Sequence, residues 1–224
     1  MICAKFTKCD NARYISHIDM LKAIVYTFRR AGIRLKYSQG YNPYPLLKFS
    51  PPLPLGLASL AEYFTAELAE QIDEQELLLA FNKVSIDGIK VLSAQKCSSN
   101  PNFAGRIVAA DYKVESNTPL PYGIEQLPKN NCIIEYEQKG TKVQEEISAK
   151  IFSLKIDHQK LYARLASGGE NLRLDRLLAK INLDFGLHLG LENASRQRQY
   201  VQGKKGLLDV DEYIKEFDFE KDIH

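Results

Sequence analysis

The sequence lacks most of the features through which chemistry is usually legible. Its four cysteines, Cys3, Cys9, Cys97 and Cys132, form no C-x-x-C pair, and their scatter supports neither a zinc site nor a cluster. A chain of 224 residues is long enough to bury a real core, so no disulfide framework is needed to hold it. There is no G-x-x-x-x-G-K, no G-x-G-x-x-G opening a helix and no H-E-x-x-H. No metal and no cofactor is therefore expected. The N-terminal MICAKFTKCD does not resemble a signal peptide, and no apolar run approaches the roughly 18 residues of a membrane span. These absences predict a cytoplasmic protein with reduced thiols and no membrane contact.

What is present begins with charge. Residues 1–60 hold nine Lys or Arg against Asp10 and Asp19, a local excess of +7 in a chain whose formal net charge is +2. Such an excess can attract a polyanion, although clustered charge also arises on any solvated face. With 45% hydrophobic and 26% charged residues, the composition is that of an ordinary globular protein, of one large or two small domains.

Period-two and helical patterns alternate along the first half. Ile2, Ala4 and Phe6 alternate with polar neighbours and predict a strand. Ser16, followed three places later by Asp19, is a capping-box-like helix start. Ile18, Leu21, Val25 and Phe28 then recur at helical spacing as far as Gly32, a C-cap candidate. Arg34 to Tyr37 reads as short and extended, and Tyr63 to Leu68 as a strand. Asp73 with Glu76 opens a second helix through Leu77, Phe81 and Val84, and Ile89 to Gln95 closes the unit. The order β-α-β-β-α-β predicts an α+β fold of the split-βαβ, ferredoxin-like kind.

A polar boundary at residues 96–105 divides a first domain, 1–98, from a second α+β domain, 99–224. The second half offers strands at Arg106 to Val114, Cys132 to Glu137, Lys142 to Glu146 and Lys160 to Ala166. Residues 148–156 are ambiguous between helix and strand, and Leu174, Leu177, Leu178 and Ile181 mark a helix. A degenerate second copy of the first topology fits this order. Arg196, Arg198 and Tyr200 alternate as if on one strand face.

The stretch YSQGYNPYPLLKFSPPLPLG, residues 37–56, carries five of the nine prolines, three tyrosines and no acidic residue. It lies where a ferredoxin-like unit has a short hairpin, and its length argues for function. Tyr37, Tyr41 and Tyr44, interleaved with Gln39, Asn42 and Lys48, offer stacking faces beside amides and a cation, which suits unpaired bases and phosphates. Gly40 would supply a positive φ that turns the tyrosines outward, with Pro43 stiffening the turn. The competing account has these aromatics capping the core and the prolines guarding a sheet edge. With Lys5, Lys8, Arg29, Arg30, Arg34, Lys36, Arg196 and Arg198, these side chains are the candidate nucleic-acid or ligand contacts. Ser16, Asp19, Gly32, Gly40, Pro43 and Gly56 have structural roles. His17, held neutral at a helix N-terminus, is the one candidate catalytic base, suited to metal-free RNA cleavage.

These same residues carry a family resemblance. Lys8, Ser16-His17-x-Asp19, Arg29-Arg30-Ala31-Gly32, Tyr37-Ser38-Gln39-Gly40-Tyr41-Asn42-Pro43, Leu53-Pro54-Leu55-Gly56 and Glu62-Tyr63 resemble the bacterial radical SAM-linked protein family. The match is dense over about the first 70 residues. It implies an accessory role beside, or fused behind, a cobalamin-type radical SAM protein that supplies its own iron–sulfur cluster. It also points toward RNA, because the genes often lie near ribosome and RNA-processing genes. Members of that family usually carry His or another residue where Tyr44 stands, so no second loop histidine is available here for catalysis. Three readings follow: a non-catalytic module docking RNA for the radical SAM partner, a metal-independent endoribonuclease resembling the CRISPR RNA-processing (RAMP) nucleases, and a pure protein-interaction subunit.

Overall fold

Strand β1 (Ile2–Lys8) buries Ile2, Ala4 and Phe6 on one face and turns Cys3 to the other, as the alternation predicts. A 3₁₀ turn at Asp10–Tyr14 leads into α1 (His17–Arg30), whose N-cap Ser16 accepts a hydrogen bond from the Asp19 amide at 3.1 Å. In this computed structural model, which describes residues 1–138 and 140–219, the buried stripe of α1 is Met20, Ile24, Thr27 and Phe28. The stripe is rotated from the expected one. Phe28 packs edge-on against Phe64 (5.7 Å) and Phe81 (5.2 Å), which turns Ile24 and Met20 inward and leaves Ile18 exposed.

The second strand is β2 (Leu47–Phe49), inside the proline-rich stretch rather than at Arg34 to Tyr37. Residues 34–37 contribute only isolated bridges, Leu35 to Leu68 and Tyr37 to Pro45. The prolines set its limits: Pro45 and Pro51 bracket residues 46–50, a proline-free run whose amides can join a ladder. β3 (Ala58–Ala66), α2 (Glu74–Val84, capped by Asp73) and β4 (Val91–Lys96) complete the unit. Its strands pair in the order β4-β1-β3-β2, all antiparallel, which is the order of a split βαβ unit.

The second half adds α3 (Phe103–Arg106), β5 (Ile107–Glu115), a 3₁₀ segment at Tyr122–Lys129, and a separate hairpin of β6 (Ile133–Gln138) and β7 (Thr141–Glu146). It continues through β8 (Ile151–Asp157), β9 (Lys160–Ala166), α4 (Leu174–Phe185), β10 (Ala194–Gly203), β11 (Gly206–Asp209) and α5 (Val210–Phe219). The ambiguous stretch resolves into a short 3₁₀ turn followed by β8. The order β10-β5-β9-β8, again antiparallel, repeats the pairing of the first half. Here the 3₁₀ segment and the β6–β7 hairpin stand where α1 stands in the first copy. The chain is thus α+β throughout, and no helix among the described residues is long and apolar enough to cross a membrane.

The two copies share one nine-stranded sheet, because β10 runs parallel to the start of β3 through Ser195–Ala58 and Arg196–Ser59. α5 then returns across the first copy and buries Val210 and Ile214 against Tyr63, on the face opposite α1 and α2. Two expectations are corrected here. Arg196 does not share a face with Arg198 and Tyr200, because a register shift between residues 196 and 198 interrupts the alternation of β10: Arg196 stands opposite Tyr112, whereas Arg198 and Tyr200 stand opposite Asp111 and Ala109. Cys3 and Cys97 are disulfide-bonded rather than both reduced; β1 and β4 bring residues 94 apart in sequence to a Cα separation of 6.2 Å.

Peptide mapping of protein purified without reductant should recover Cys3 and Cys97 as a linked pair, with Cys9 and Cys132 as free thiols. Reduction should lower stability by about 2–5 kcal/mol in chemical denaturation, given the long loop the bond closes. Alkylation of Cys3 in the native, unreduced protein would overturn the pairing.

Candidate functional site

The proline-rich stretch divides between core and solvent. Phe49 turns inward, 6.2 Å from Phe6 and 6.0 Å from Phe64 between ring centres, and Leu53 joins the core of the second half. The tyrosines turn outward: Tyr41 is fully exposed and Tyr44 is 65% exposed. Their turn is braced at its base, where the Ser38 amide donates to the Tyr44 carbonyl at 2.9 Å. The Tyr44 amide donates in turn to Ser38 Oγ at 3.1 Å. Gly40 sits at φ +130°, a value that L side chains rarely adopt, so the turn is closed by glycine as the sequence implied.

Beside the base of this turn lies an open cleft of about 350 Å³ between the C-terminal half of α1 and residues 33–37. Phe28, Ile33 and Leu35 belong to its lining, with Tyr26, Arg29, Arg34 and Tyr37. The exposed Arg34 guanidinium pairs with the Glu70 carboxylate, and Arg29 is exposed at the helix end. Tyr26, which sequence reasoning passed over, is 55% exposed. Its signal was the i, i+3 spacing to Arg29, which places both on one helix face.

A second, buried constellation forms where α1 begins. Glu62 of β3 and Arg196 of β10 form an ion pair at 2.9 Å, with both side chains almost wholly buried. Ser59 Oγ donates to the same Glu62 oxygen at 2.6 Å, and Arg196 Nη1 also donates to the Pro51 carbonyl at 3.3 Å. Arg196 Nε is buried without a partner among the described residues. Lys8, 1% exposed, donates from Nζ to the Ile15 carbonyl at 2.9 Å. Burial pulls its ammonium below the usual lysine range; Glu62 opposes that shift and Arg196 adds to it. His17 is half-buried against Phe49, and desolvation lowers its pKa below the ordinary 6.5, with Glu62 opposing and Lys8 reinforcing. Glu62 appeared in the sequence as a lone acid within ASLAEYFTA, a signal that did not single it out as a site residue.

The remaining candidates are dispersed. Lys5 pairs with Asp211 at 2.6 Å, and that carboxylate also accepts from the Tyr63 hydroxyl at 2.9 Å, so Lys5 fastens α5 to the sheet. Arg30 donates to the Val84 carbonyl at 2.8 Å, tying α1 to the end of α2. Lys36 lines a different cleft with Lys96, Lys48 points outward from β2, and Arg198 lies 3.7 Å from Asp209. Gln39, Asn42 and Pro43 are exposed on the tyrosine turn. Gly32 (φ +73°) ends α1, and the Gly56 amide donates to the Arg13 carbonyl at 3.0 Å. His17 and Arg30 occupy opposite ends of a 14-residue helix, roughly 20 Å apart, so they do not meet in one site.

Fold and surface together define a mixed α+β protein with an exposed basic–aromatic surface and a separate buried ionic centre. The chain belongs to the bacterial family described as "uncharacterized protein conserved in bacteria (DUF2344)", which matches residues 2–180. No curated protein matches the chain. Arg196 lies beyond the matched residues, yet it completes the centre that Lys8, His17 and Glu62 begin.

Removing one partner of the buried pair strands the other charge, so Arg196→Met and Glu62→Gln should each cost about 3–5 kcal/mol in denaturant unfolding. The double variant should cost less than the sum of the two. Strict additivity would show that the ions are uncoupled.

His17 also imposes a pH dependence. Its folded-state pKa lies below 6.5, so the unfolded chain takes up a proton first as pH falls. Stability should therefore drop between pH 7.5 and pH 5.5 by more in the wild type than in His17→Gln. Equal slopes would remove the assignment.

Proposed function

We propose that the protein is a non-catalytic accessory module that binds RNA, or an RNA-linked substrate, through the tyrosine turn and the adjacent arginines, with ferredoxin-like halves as its scaffold. The observation that carries this reading is the exposure of Tyr41, Tyr44 and Tyr37 on a braced turn beside Arg29 and Arg34. Exposed aromatic side chains gathered in one patch mark an interaction surface, and tyrosine, apolar in body with a polar tip, suits one. Base stacking beside guanidinium groups accounts for the whole set. The resemblance to the radical SAM-linked family makes a radical SAM protein the expected partner, to which this module would present its substrate.

The endoribonuclease reading draws less support. His17 packs on Phe49 and is electrostatically coupled to Glu62 and Lys8, at the helix end remote from Arg29. The repeated split-βαβ order resembles the tandem plan of the RAMP nucleases, but fold alone does not assign function.

Fluorescence anisotropy with a labelled single-stranded RNA is the direct test. Affinity should fall with added salt, and Tyr41→Ala and Arg29→Ala should each weaken binding, the tyrosine by about 5- to 100-fold. Absence of RNA affinity at low salt would sink the reading. Co-purification with a radical SAM protein that depends on the turn, without RNA affinity, would favour the protein-interaction subunit instead. Cleavage in EDTA that His17→Ala abolishes would favour the nuclease.

A further inference from the structure

We infer that the cleft between Tyr26 and Tyr37 is a slot for one unpaired nucleobase of the bound RNA, an inference that rests on the RNA-binding reading. The cleft holds about 350 Å³, at the small end of the range for small-molecule sites and enough for a single nucleoside. Its lining combines two chemistries in a useful arrangement. Phe28, Ile33 and Leu35 are core residues, so they give it a rigid apolar floor. Tyr26 and Tyr37, also in the lining, are 55% and 49% exposed, so each side chain is partly covered and still presents surface to a ligand. Planar apolar faces with polar edges suit a base, whose own edges remain free to hydrogen-bond.

The charges select the occupant. Arg29 and Arg34 lie in the lining and no acidic residue does, so the cleft favours a ligand that brings negative charge with its ring. Arg34 is exposed and held by the exposed Glu70, a surface pair of small energy that a phosphate can replace. Continuity with the turn sets the path of the chain. Tyr37 both lines the cleft and bridges to Pro45 at the base of the Tyr41–Tyr44 turn. A strand whose base enters the slot can therefore run on to Tyr41 and Tyr44, which makes three stacking positions. Bases within a duplex present no free face to such a slot, so the site selects unpaired RNA.

The chain contains no tryptophan, so Tyr26→Trp introduces a single fluorescent reporter at the slot. Titration with a single-stranded RNA should quench it, whereas the same sequence in a duplex should bind at least tenfold more weakly and leave it unquenched. Tyr26→Ala should weaken single-stranded binding by about 5- to 100-fold, and Tyr26→Phe should retain it. RNA binding that depends on Tyr41 but is indifferent to Tyr26→Ala, with no quenching, would overturn the slot and leave the broader reading standing. Equal affinity for duplex and single strand would also overturn the slot. No RNA binding by the wild type would remove both.

Discussion

The buried ion pair between Glu62 and Arg196 holds the molecule's two halves in register. β10 touches β3 through only two residue pairs before β2 takes over the rest of that strand's edge. So short a parallel ladder is a weak join, and its position is fixed by side chains: Arg196 on Glu62, and Gln199 on the Ala61 carbonyl. Glu62 and Ala61, the acceptors of these two bonds, both lie on β3, which is flanked by β1 and β2 in the first copy. The C-terminal helix inherits this placement, because β11 and α5 follow directly from β10. Lys5 and Tyr63 then clamp α5 through Asp211.

The same pair reaches toward the surface site. Arg196 donates to the Pro51 carbonyl, and Ser50 Oγ receives the Tyr63 amide at 3.1 Å. These contacts pin the C-terminal side of the proline-rich stretch, and Phe49 anchors it from within the core. On the N-terminal side, the Lys36 amide donates to the Glu67 carbonyl, and the Leu46 amide to the Lys36 carbonyl, both at 2.8 Å. The tyrosine turn is thus a short exposed excursion between two fixed points. Little conformational entropy remains to be lost when a ligand orders it. The cost sits in the centre, where Lys8 and Arg196 together outnumber Glu62. Burial lowers the pKa of Lys8 and of His17 beside it, which moves both in the direction that lessens the imbalance.

Much of the first copy was legible from the sequence because its signals are local. The alternation of Ile2, Ala4 and Phe6, the Ser16 and Asp73 caps, and the glycine at position 40 each depend on a few neighbouring residues. What escaped depends on distant partners. The second strand was misplaced because Arg34 to Tyr37 alternates as well as a strand does; only the extent of its pairing, isolated bridges against the three-pair ladder of Leu47–Phe49, tells the two apart. The bulged register of β10 and the Cys3–Cys97 pair likewise arise from tertiary placement. For the site, side-chain type could not separate Arg29, exposed at a helix end, from Arg196, one of the most buried polar residues in the chain.

That distinction changes the meaning of the N-terminal charge excess. Of its nine cations, Lys5 pairs with Asp211, Lys8 is buried, Arg13 donates to the Glu192 carbonyl, and Lys22 approaches Asp19 at 3.6 Å. Arg30 is tied to Val84, and Arg34 to Glu70. Arg29, Lys36 and Lys48 remain as exposed cations without such partners among the described residues, and Lys36 and Lys48 lie outside the Tyr26–Tyr37 cleft. At about 0.7 released counterions per phosphate contact, a site built on Arg29 and a displaced Arg34 gains only a shallow salt dependence. On the RNA-binding proposal, affinity would then come mainly from the aromatic faces. Stacking acts on bases, and phosphate attraction acts on any strand. On the same proposal, the arrangement would discriminate by whether bases are unpaired, with the charges serving chiefly to bring the strand to the tyrosines.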